Sequence, residues 1–323
     1  MRTGVFAILL AVVCCNSADL GPAPVDPPRV DPDASMPDVD AGGGEAGSEA
    51  GDTGPDGPPL VPGNLRVMAA NISSGPSLNY GPAEGVRIFQ GMHPDVVLVQ
   101  EYNVGGNSTG ELDAYVTTTF GATFTYYREP GFQIPNGIIS RYPMLESGTW
   151  VDPSPNVNRG FAYAKIAIPG PHPLWAISLH LLTSGSAQRN AQAVELVKQV
   201  QAVVPAEDYV ALGGDFNTDS RSELCVGELS KIVVTGAPYP ADGAGNQNTS
   251  APRSKPYDWL LADPDLAPLG VPVVVGQRGF AGGLVFDSRV FTPLADVAPA
   301  QSGDSAAKNM QHMPVVRDFR IPE

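Results

Sequence analysis

Short apolar runs, each starting or ending at a polar residue, recur along the chain from residue 64 onward. Apolar runs of this length, bounded by turn-forming residues, predict buried β-strands. The predicted strands cover residues 65–71, 95–101, 136–141, 160–168, 174–181, 210–217, 257–261, 271–275, 283–286 and 313–319.

Three segments favour helices instead, at residues 82–92, 109–120 and 186–204. In the last one, apolar and long side chains recur at helical spacing. These residues are Ala191, Val194, Val197, Lys198 and Gln201. Strands outnumber helices and come in runs rather than in strict alternation with them. The pattern therefore predicts an α/β protein of the mixed α+β kind, in which two packed mixed sheets are flanked by helices.

The N-terminal residues follow another pattern. Arg2 precedes an apolar run that ends at residue 15, too short to span a bilayer and typical of a signal peptide. The run closes on Cys14 and Cys15, so residues 1–15 resemble a lipoprotein signal, although the residues before Cys14 are larger than usual. The alternative is ordinary cleavage near Ala18. Either way we expect an exported protein, anchored to the outer membrane as a lipoprotein or secreted or periplasmic.

Residues 16–62 contain ten prolines and eight glycines and almost no aromatic residues. Such a composition buries too little apolar surface to offset the entropy of ordering the chain, and predicts a disordered linker. No fixed-period repeat and no second boundary follow, so residues 63–323 are predicted to form one domain, expected to be a monomer.

Charge narrows the range of partners. The formal net charge is −15, and residues 1–62 contribute ten acidic residues against two arginines. An acidic protein lacks the electrostatic footprint of tight, unselective nucleic-acid binding. A nuclease is still possible, because bound divalent cations neutralise a carboxylate-lined cleft. Cys225 is the one cysteine of the predicted domain, so we expect a packed thiol there rather than a disulfide.

The residues at the ends of the predicted strands are the candidates for chemistry. A hard cation takes oxygen ligands, neutralises phosphate charge and activates water, and histidine binds phosphate or transfers a proton near neutral pH. Each residue alone has a structural alternative, as a turn former, a solvated strand end or a hydrogen-bonded histidine. The candidates are Asn71, Glu101, Asn136, His180, Asp215, Asn217, Asp258 and His312.

The order of these residues, together with their neighbours, resembles the endonuclease/exonuclease/phosphatase superfamily. That superfamily includes pancreatic-type deoxyribonucleases, abasic-site endonucleases, neutral sphingomyelinases and inositol-polyphosphate phosphatases. The resemblance implies the DNase I-like fold, a four-layer sandwich of two packed mixed sheets. The matching blocks, in the order of that family, are residues 66–71, 94–101, 136–143, 178–181, 214–217, 257–261 and 311–315.

The resemblance also implies a metal site. Glu101 would bind the catalytic Mg²⁺, with Mn²⁺ as the alternative ion, and Asn71 would lie beside it. Most members have an aspartate before the last histidine, usually a metal ligand, whereas this chain has Gln311. A glutamine carbonyl attracts a cation less strongly than a carboxylate does. Asp304, close in sequence, is a candidate to compensate.

The catalytic roles also come from the resemblance. Asp215 would orient or deprotonate the attacking water, and Asn217 would hold that water or a phosphate oxygen. His180 would contact the phosphate or protonate the leaving group. Asp258 would pair with His312, which would bind the phosphate or act as general base.

Two further residues would face the phosphate. By the same resemblance, Asn136 matches a phosphate-side asparagine, and Arg159 stands where relatives often carry an arginine. Loops 103–110 and 242–255 are candidates to border a substrate groove, and the second loop contains Arg253 and Lys255.

We therefore expect a divalent-metal-dependent hydrolase of phosphate esters, foremost a phosphodiesterase similar to extracellular nucleases. The substrate would be a nucleic acid or a phospholipid headgroup. A sphingomyelinase-like headgroup hydrolase is the alternative, weakened by the lack of a recognisable aromatic hairpin for bilayer insertion. A surface binding module with weakened catalysis is the alternative from another class, and Gln311 is its one support.

Overall fold

The structure, a computed structural model, describes residues 63–73, 83–152, 154 and 157–323. These residues belong to one compact unit, which spans residues 52–323. The predicted signal peptide, the predicted linker and both candidate anchor cysteines lie outside the described residues.

Strands dominate the described chain, as the sequence pattern predicts, and short 3-10 helices occur in the loops. In chain order the elements are β1 (Asn64–Asn71), α1 (Glu84–Met92), β2 (Val96–Gln100), α2 (Thr109–Phe120), β3 (Thr125–Arg128), β4 (Gly137–Ser140), β5 (Met144–Trp150), β6 (Phe161–Ile166), β7 (Leu174–His180), α3 (Ser186–Val203), β8 (Tyr209–Asp215), α4 (Leu224–Leu229), β9 (Asp258–Ala262), β10 (Gly270–Val271), β11 (Val273–Val275), β12 (Arg278–Phe280), β13 (Leu284–Val285) and β14 (Val315–Arg320).

Two mixed sheets form the centre of the fold. The first has the order β10-β14-β1-β2-β4-β3, with β13 also paired to β14, and the second has the order β5-β6-β7-β8-β9. One parallel pair lies in the middle of each sheet, β1 with β2 and β7 with β8. The strands around these pairs are antiparallel. A separate hairpin, β11 with β12, completes the strand pairing.

Alternation along the strands sorts side chains into layers. In β1, Val67 and Ala69 pack between the two sheets, whereas Met68 and Ala70 pack on the outer face with α1 and α2. In the second sheet, Ile177 points outward to a core built with α3 and α4. Successive residues of a strand face opposite sides, so two sheets and two helical layers give four layers. The predicted fold class is confirmed.

The predicted helix at residues 186–204 is present as α3, but most of the residues that show the helical spacing are not on its buried face. Of those five residues only Val197 is fully buried, and the buried face also contains Arg189, Gln192, Leu196 and Val200. Polar residues occupy part of this face because they have buried partners. Arg189, for example, pairs with Glu223 at 2.8 Å. A pattern of apolar residues alone cannot identify such a face.

The strands β3, β5 and β12 and the helix α4 are absent from the predicted elements. β3 and β5 expose much of their surface, so their sequences lack continuous apolar runs. Cys225 is a buried free thiol on α4, as expected, and burial raises its pKa to about 11. No helix within the described part of the chain is long and apolar enough to cross a membrane.

Candidate active site

The candidate residues meet at one edge of the sandwich because of strand direction. Parallel neighbours bring their carboxyl ends to the same edge, and antiparallel neighbours bring their amino ends there. Asn71 ends β1 and Glu101 follows β2, while His180 and Asp215 end β7 and β8 and pair in register. Asp258 begins β9 directly opposite Asp215. The starts of β4, β6 and β14 bring three more candidates to this edge, namely Asn136, Arg159 and His312.

Asp215 lies at the centre of the site and is buried. Its Oδ2 atom accepts from Asn71 Nδ2 at 3.1 Å and from Asn217 Nδ2 at 3.3 Å. His180 Nε2 lies 3.2 Å and His312 Nε2 3.6 Å from the same oxygen. Its Oδ1 atom accepts from the backbone N–H of Asn217 at 2.8 Å. One carboxylate thus joins residues from both sheets.

The charges around Asp215 keep it ionised. Burial raises the pKa of this carboxyl, but the charges of His312 and His180, together with the hydrogen bonds from His180 and the Asn217 N–H, outweigh burial and hold the pKa well below its usual range. A carboxylate with a depressed pKa is a weak proton acceptor near neutral pH. Because its oxygens already accept several hydrogen bonds, the geometry suits Asp215 to orienting its neighbours.

His312 and Asp258 form a buried pair, with Nδ1 and Oδ2 separated by 3.0 Å. Burial lowers the pKa of His312, but Asp258 and Asp215 outweigh burial and raise the pKa to about 9. The imidazole is therefore a cation at neutral pH. A protonated imidazole stabilises negative charge and donates protons, and it is neither a metal ligand nor a general base in that state.

Asn71 links the central carboxylate to Glu101. Its Nδ2 atom also donates to Glu101 Oε1 at 3.2 Å, and its Oδ1 atom accepts from the backbone N–H of Ser73 at 2.7 Å. The Ser73 N–H therefore sets the orientation of this amide. Glu101 is half-buried and has a φ of +55°, in the left-handed region that non-glycine residues rarely adopt. Strained backbone of this kind is typical of functional sites.

The two predicted phosphate-side residues lie on the neighbouring wall. Arg159 is buried and donates to the carbonyl oxygens of His180 and Leu181 at 2.8 and 2.9 Å. Asn136 Nδ2 donates to the Gly160 carbonyl at 2.7 Å. Among the described residues, Asn136 Oδ1 and His180 Nδ1 are buried without a hydrogen-bond partner. Each of these two atoms can therefore take part in a hydrogen bond with a ligand or a water.

Gln311 contacts this region through its backbone. Its N–H donates to Ser73 Oγ at 3.2 Å, and its side chain is exposed. Asp304 does not replace the missing acid, contrary to the expectation from sequence. Its buried carboxylate accepts from Arg87 on α1, with 2.5 Å between Oδ1 and the guanidinium.

A sequence model of the Endonuclease/Exonuclease/phosphatase family matches residues 68–282 of this chain, which is more than half of it. The chain belongs to this family. Its members are phosphoester hydrolases that use divalent metal ions. No curated protein matches the chain in sequence.

Solved structures with the same fold cover most of this chain. An endonuclease/exonuclease/phosphatase from Bacteroides vulgatus is 15% identical with a TM-score of 0.56, over 80% of this chain and 99% of that one. Truncated TDP2 from Caenorhabditis elegans is 17% identical with a TM-score of 0.51, over 80% and 97%. Sphingomyelinase C from Streptomyces griseocarneus is 16% identical with a TM-score of 0.51, over 79% and 99%. At these identities the likeness shows the fold alone.

Among the residues that the structure describes, two groups could hold a divalent ion. Asp215, Asp258 and His312 place ligand atoms within 4.8 Å of one another. Glu101 is the second candidate, half-buried at the same edge and bonded to Asn71. Carboxylate oxygens are the donors that Mg²⁺ prefers. The donor set of the site therefore fits a hard cation.

Sequence reasoning missed Glu129, which lies beside the predicted phosphate wall. This buried carboxylate follows β3 and accepts from the backbone N–H of Asn136 at 2.7 Å. The rule that selected the other candidates, a polar residue at a strand end, would have found Glu129. It failed because the partly exposed sequence of β3 does not read as a strand.

Proposed function

We propose that this protein is a divalent-metal-dependent phosphodiesterase similar to nucleases. One observation carries the proposal: two imidazoles and two amides converge on the buried Asp215, and one of these amides, Asn71, also bonds to the half-buried Glu101. Such a cluster offers anionic oxygens to a cation, and the imidazole of His312 offers a positively charged N–H group to a phosphate. The two functions are those that metal-assisted phosphoester hydrolysis requires.

We place the ion at Glu101 rather than in the group formed by Asp215, Asp258 and His312. His312 is already bonded to Asp258, and its raised pKa keeps it protonated. A cation at this position would have to displace that proton and break the pair. Glu101 is half-buried, so its carboxylate is more accessible to a cation than the buried carboxylates of Asp215 and Asp258. Asn71 and Gln311 remain predicted neighbours of the ion.

In this proposal the residues of the chain orient the reacting groups and carry charge. A bound Mg²⁺ lowers the pKa of water and neutralises phosphate charge. Asp215 orients the attacking water together with Asn217, and its low pKa favours orientation over proton removal. His312, held by Asp258, presents a positive charge to the phosphate. His180 has a free Nδ1 atom for a proton or a phosphate oxygen on the leaving-group side.

Of the two basic residues predicted to border the substrate groove, Lys255 is better suited than Arg253 to contact a substrate phosphate. Arg253 forms ion pairs with Asp242 at 2.9 Å and with Asp287 at 2.6 Å, so its charge is neutralised and it stabilises the 242–255 loop. Lys255 is half-exposed and pairs with the exposed Asp219. A substrate phosphate can compete with Asp219 for Lys255, because exposed ion pairs contribute little free energy. We therefore propose that the substrate passes Lys255.

The decisive test is hydrolysis of an artificial phosphodiester with Mg²⁺, with Mn²⁺ and with chelator. We expect turnover that chelation abolishes, and a fall of about 10²-fold or more in Asp215→Ala and His180→Ala with native circular dichroism. Absence of metal-dependent turnover on every phosphoester, with ligand binding retained, would instead support a binding module. Unfolding of both variants would favour structural roles for these residues.

A substrate panel then separates the two enzyme candidates. Plasmid DNA, RNA, sphingomyelin and inositol phosphates would be compared at one metal concentration. The sphingomyelinase alternative needs a membrane-inserting surface, yet the large hydrophobic residues exposed in the described chain are scattered aliphatic ones. The hairpin of β11 and β12, for example, exposes Val274 while Phe280 is buried. We therefore expect nucleic acid to be the better substrate.

We also propose export, on the basis of the apolar run that ends at Cys15 and the polar linker behind it. Labelling with a radioactive fatty acid in a bacterial host tests the lipid anchor. Label that is lost in a Cys14→Ser, Cys15→Ser double variant supports lipidation. A processed, unlabelled protein in the periplasm or medium would support cleavage near Ala18.

A further inference from the structure

Glu129 is a fully buried carboxylate without a hydrogen-bonded or ion-paired cationic side chain among the described residues. Its Oε2 atom accepts from Asn136 N at 2.7 Å. Its Oε1 and Oε2 atoms lie 3.1 and 3.2 Å from Gly160 N. Burying an anion is costly unless it is well hydrogen-bonded. Two backbone N–H groups on separate segments stabilise this charge, and Arg159 and the Thr149 side chain add to their effect.

Those two segments carry the predicted phosphate-side residues. Asn136 belongs to the first, and Arg159 directly precedes Gly160 in the second. The segments are also joined by the bond from Asn136 Nδ2 to the Gly160 carbonyl. Arg159 in turn donates to the carbonyls of His180 and Leu181. Glu129 is thus the hub of a network that extends to the end of β7.

The packing at Gly160 leaves this network little freedom. A Cβ atom there would lie 2.8 Å from Trp150 O and 2.9 Å from Glu129 Oε1, and closer still to Thr149 Cγ2. The carboxylate therefore approaches a backbone position that only glycine permits. A tight contact of this kind transmits a change at Glu129 to the segment that carries Arg159.

We propose that Glu129 is a positioning residue, whose carboxylate holds Asn136 and Arg159 in the geometry that binds the substrate phosphate. This inference rests on the proposed phosphoesterase function and on the phosphate-side placement of these two residues. Glu129 itself does not touch the reacting atoms. Its effect is to fix the wall against which the phosphate lies.

The ionisation of Glu129 makes the effect measurable. Burial raises its pKa to about 7, against the opposing influence of the N–H donors of Asn136 and Gly160 and of Arg159. Arg128 and Tyr127 on β3 are the other titratable groups that face it. Protonation would convert one acceptor oxygen into a donor aimed at backbone N–H groups. We therefore expect phosphate binding to weaken as pH falls through 7.

Glu129→Gln tests the proposal, because glutamine keeps the shape and can offer only one acceptor oxygen. We expect KM to rise about tenfold with kcat within about threefold, the result of losing binding shared by ground and transition states. The inflection of KM near pH 7 should disappear. Glu129→Asp keeps the charge on a shorter side chain and should restore part of the binding and of the inflection.

Glu146→Gln is the matched control, because Glu146 is an exposed residue of β5 whose one hydrogen bond within the described part of the chain comes from Tyr163 OH, at 3.2 Å. It should leave KM and the pH profile unchanged. A purely structural role for Glu129 would lower thermal stability in Glu129→Gln while leaving KM and its inflection as in the wild type, and that result would overturn the proposal. If Glu129→Gln does not fold, Glu129→Asp decides by the same two criteria.

Binding of inorganic phosphate, measured by calorimetry with Mg²⁺ present, separates this proposal from the proposed function. Weaker binding by Glu129→Gln at pH 8, with no turnover in any variant, would retain the positioning role and remove the phosphodiesterase. Metal-dependent turnover with equal phosphate affinity in wild type and Glu129→Gln would support the phosphodiesterase and overturn the positioning role of Glu129.

Discussion

At the scale of single residues, the pair of His312 and Asp258 sets the charge of the site. Neither residue is unusual in the sequence, where Asp258 could be a turn former and His312 a hydrogen-bonded structural histidine. Their 3.0 Å contact in a buried setting, next to Asp215, changes the protonation of the imidazole. Neighbours within a few ångströms decide whether a histidine is a base or a cation.

This pair should make stability depend on pH. The pKa of His312 is about 9 when folded, above its ordinary value, so its stabilising effect is present below about pH 6.5 and is lost as pH rises through 9. We expect the free energy of unfolding of the wild type to fall by on the order of 2 kcal/mol across that window. Urea denaturation at pH 6.5 and 9 measures it.

His312→Gln is the comparison for that experiment. It removes the titrating group, so its stability should vary less between the two pH values. Equal slopes for wild type and variant would show that the imidazole is not raised in pKa by its neighbours.

At the scale of secondary structure, the prediction of elements succeeded where the apolar run was continuous and failed where a strand was partly exposed. β2, β7 and β8 are buried along their whole length and were predicted. β3 and β5 are largely exposed or half-exposed and were missed. Because β3 was not predicted, Glu129, which directly follows it, was not recognised as a polar residue at a strand end. Burial on both faces, not strand formation as such, is what an apolar run reports.

The end of β8 requires glycine at Gly214, which has a φ of +139°. A Cβ atom there would lie 2.7 Å from Gln100 Nε2 and closer still to Leu179 O. We therefore expect Gly214→Ala to lower the free energy of unfolding by about 2 kcal/mol or more, through strain and steric conflict. Chemical denaturation measures the change, and turnover should fall because Asp215 moves.

Gly227→Ala is the control at an open position. Gly227 lies in α4, and a Cβ atom there meets nothing within 4 Å. Alanine in a helix should leave stability unchanged or raise it by about 0.5–1 kcal/mol. Equal effects at both glycines would contradict the conformational argument for Gly214.

At the scale of the whole molecule, the two sheets must be held in register for the site to exist. Glu101 comes from the first sheet, and His180 and Asp215 come from the second. Just below them, Gln100 Nε2 donates to Ser178 Oγ at 2.9 Å across the interface. The site is therefore a property of the packed sandwich.

The carboxylates gathered by this packing should make the folded protein respond to metal. We expect Mg²⁺ to raise the melting temperature by several degrees, because a ligand that binds only the folded state stabilises it. Chelator should reverse the shift, and Glu101→Gln should abolish most of it. Thermal unfolding at matched ionic strength, with NaCl in place of MgCl₂, measures the effect. A full shift in Glu101→Gln would place the ion elsewhere, for example at Asp215 and Asp258.

The sequence alone was sufficient for the fold class, for family membership and for a set of polar residues at strand ends. This was possible because buried strands must be apolar and their ends are where polar side chains can reach a cleft. Their roles at the site stay predictions. The tertiary structure decided the rest: that Asp304 pairs with Arg87, that Arg253 is neutralised, and that Glu129 braces the wall behind Arg159. These depend on partners far away in the chain, whose distances and charges no local pattern contains.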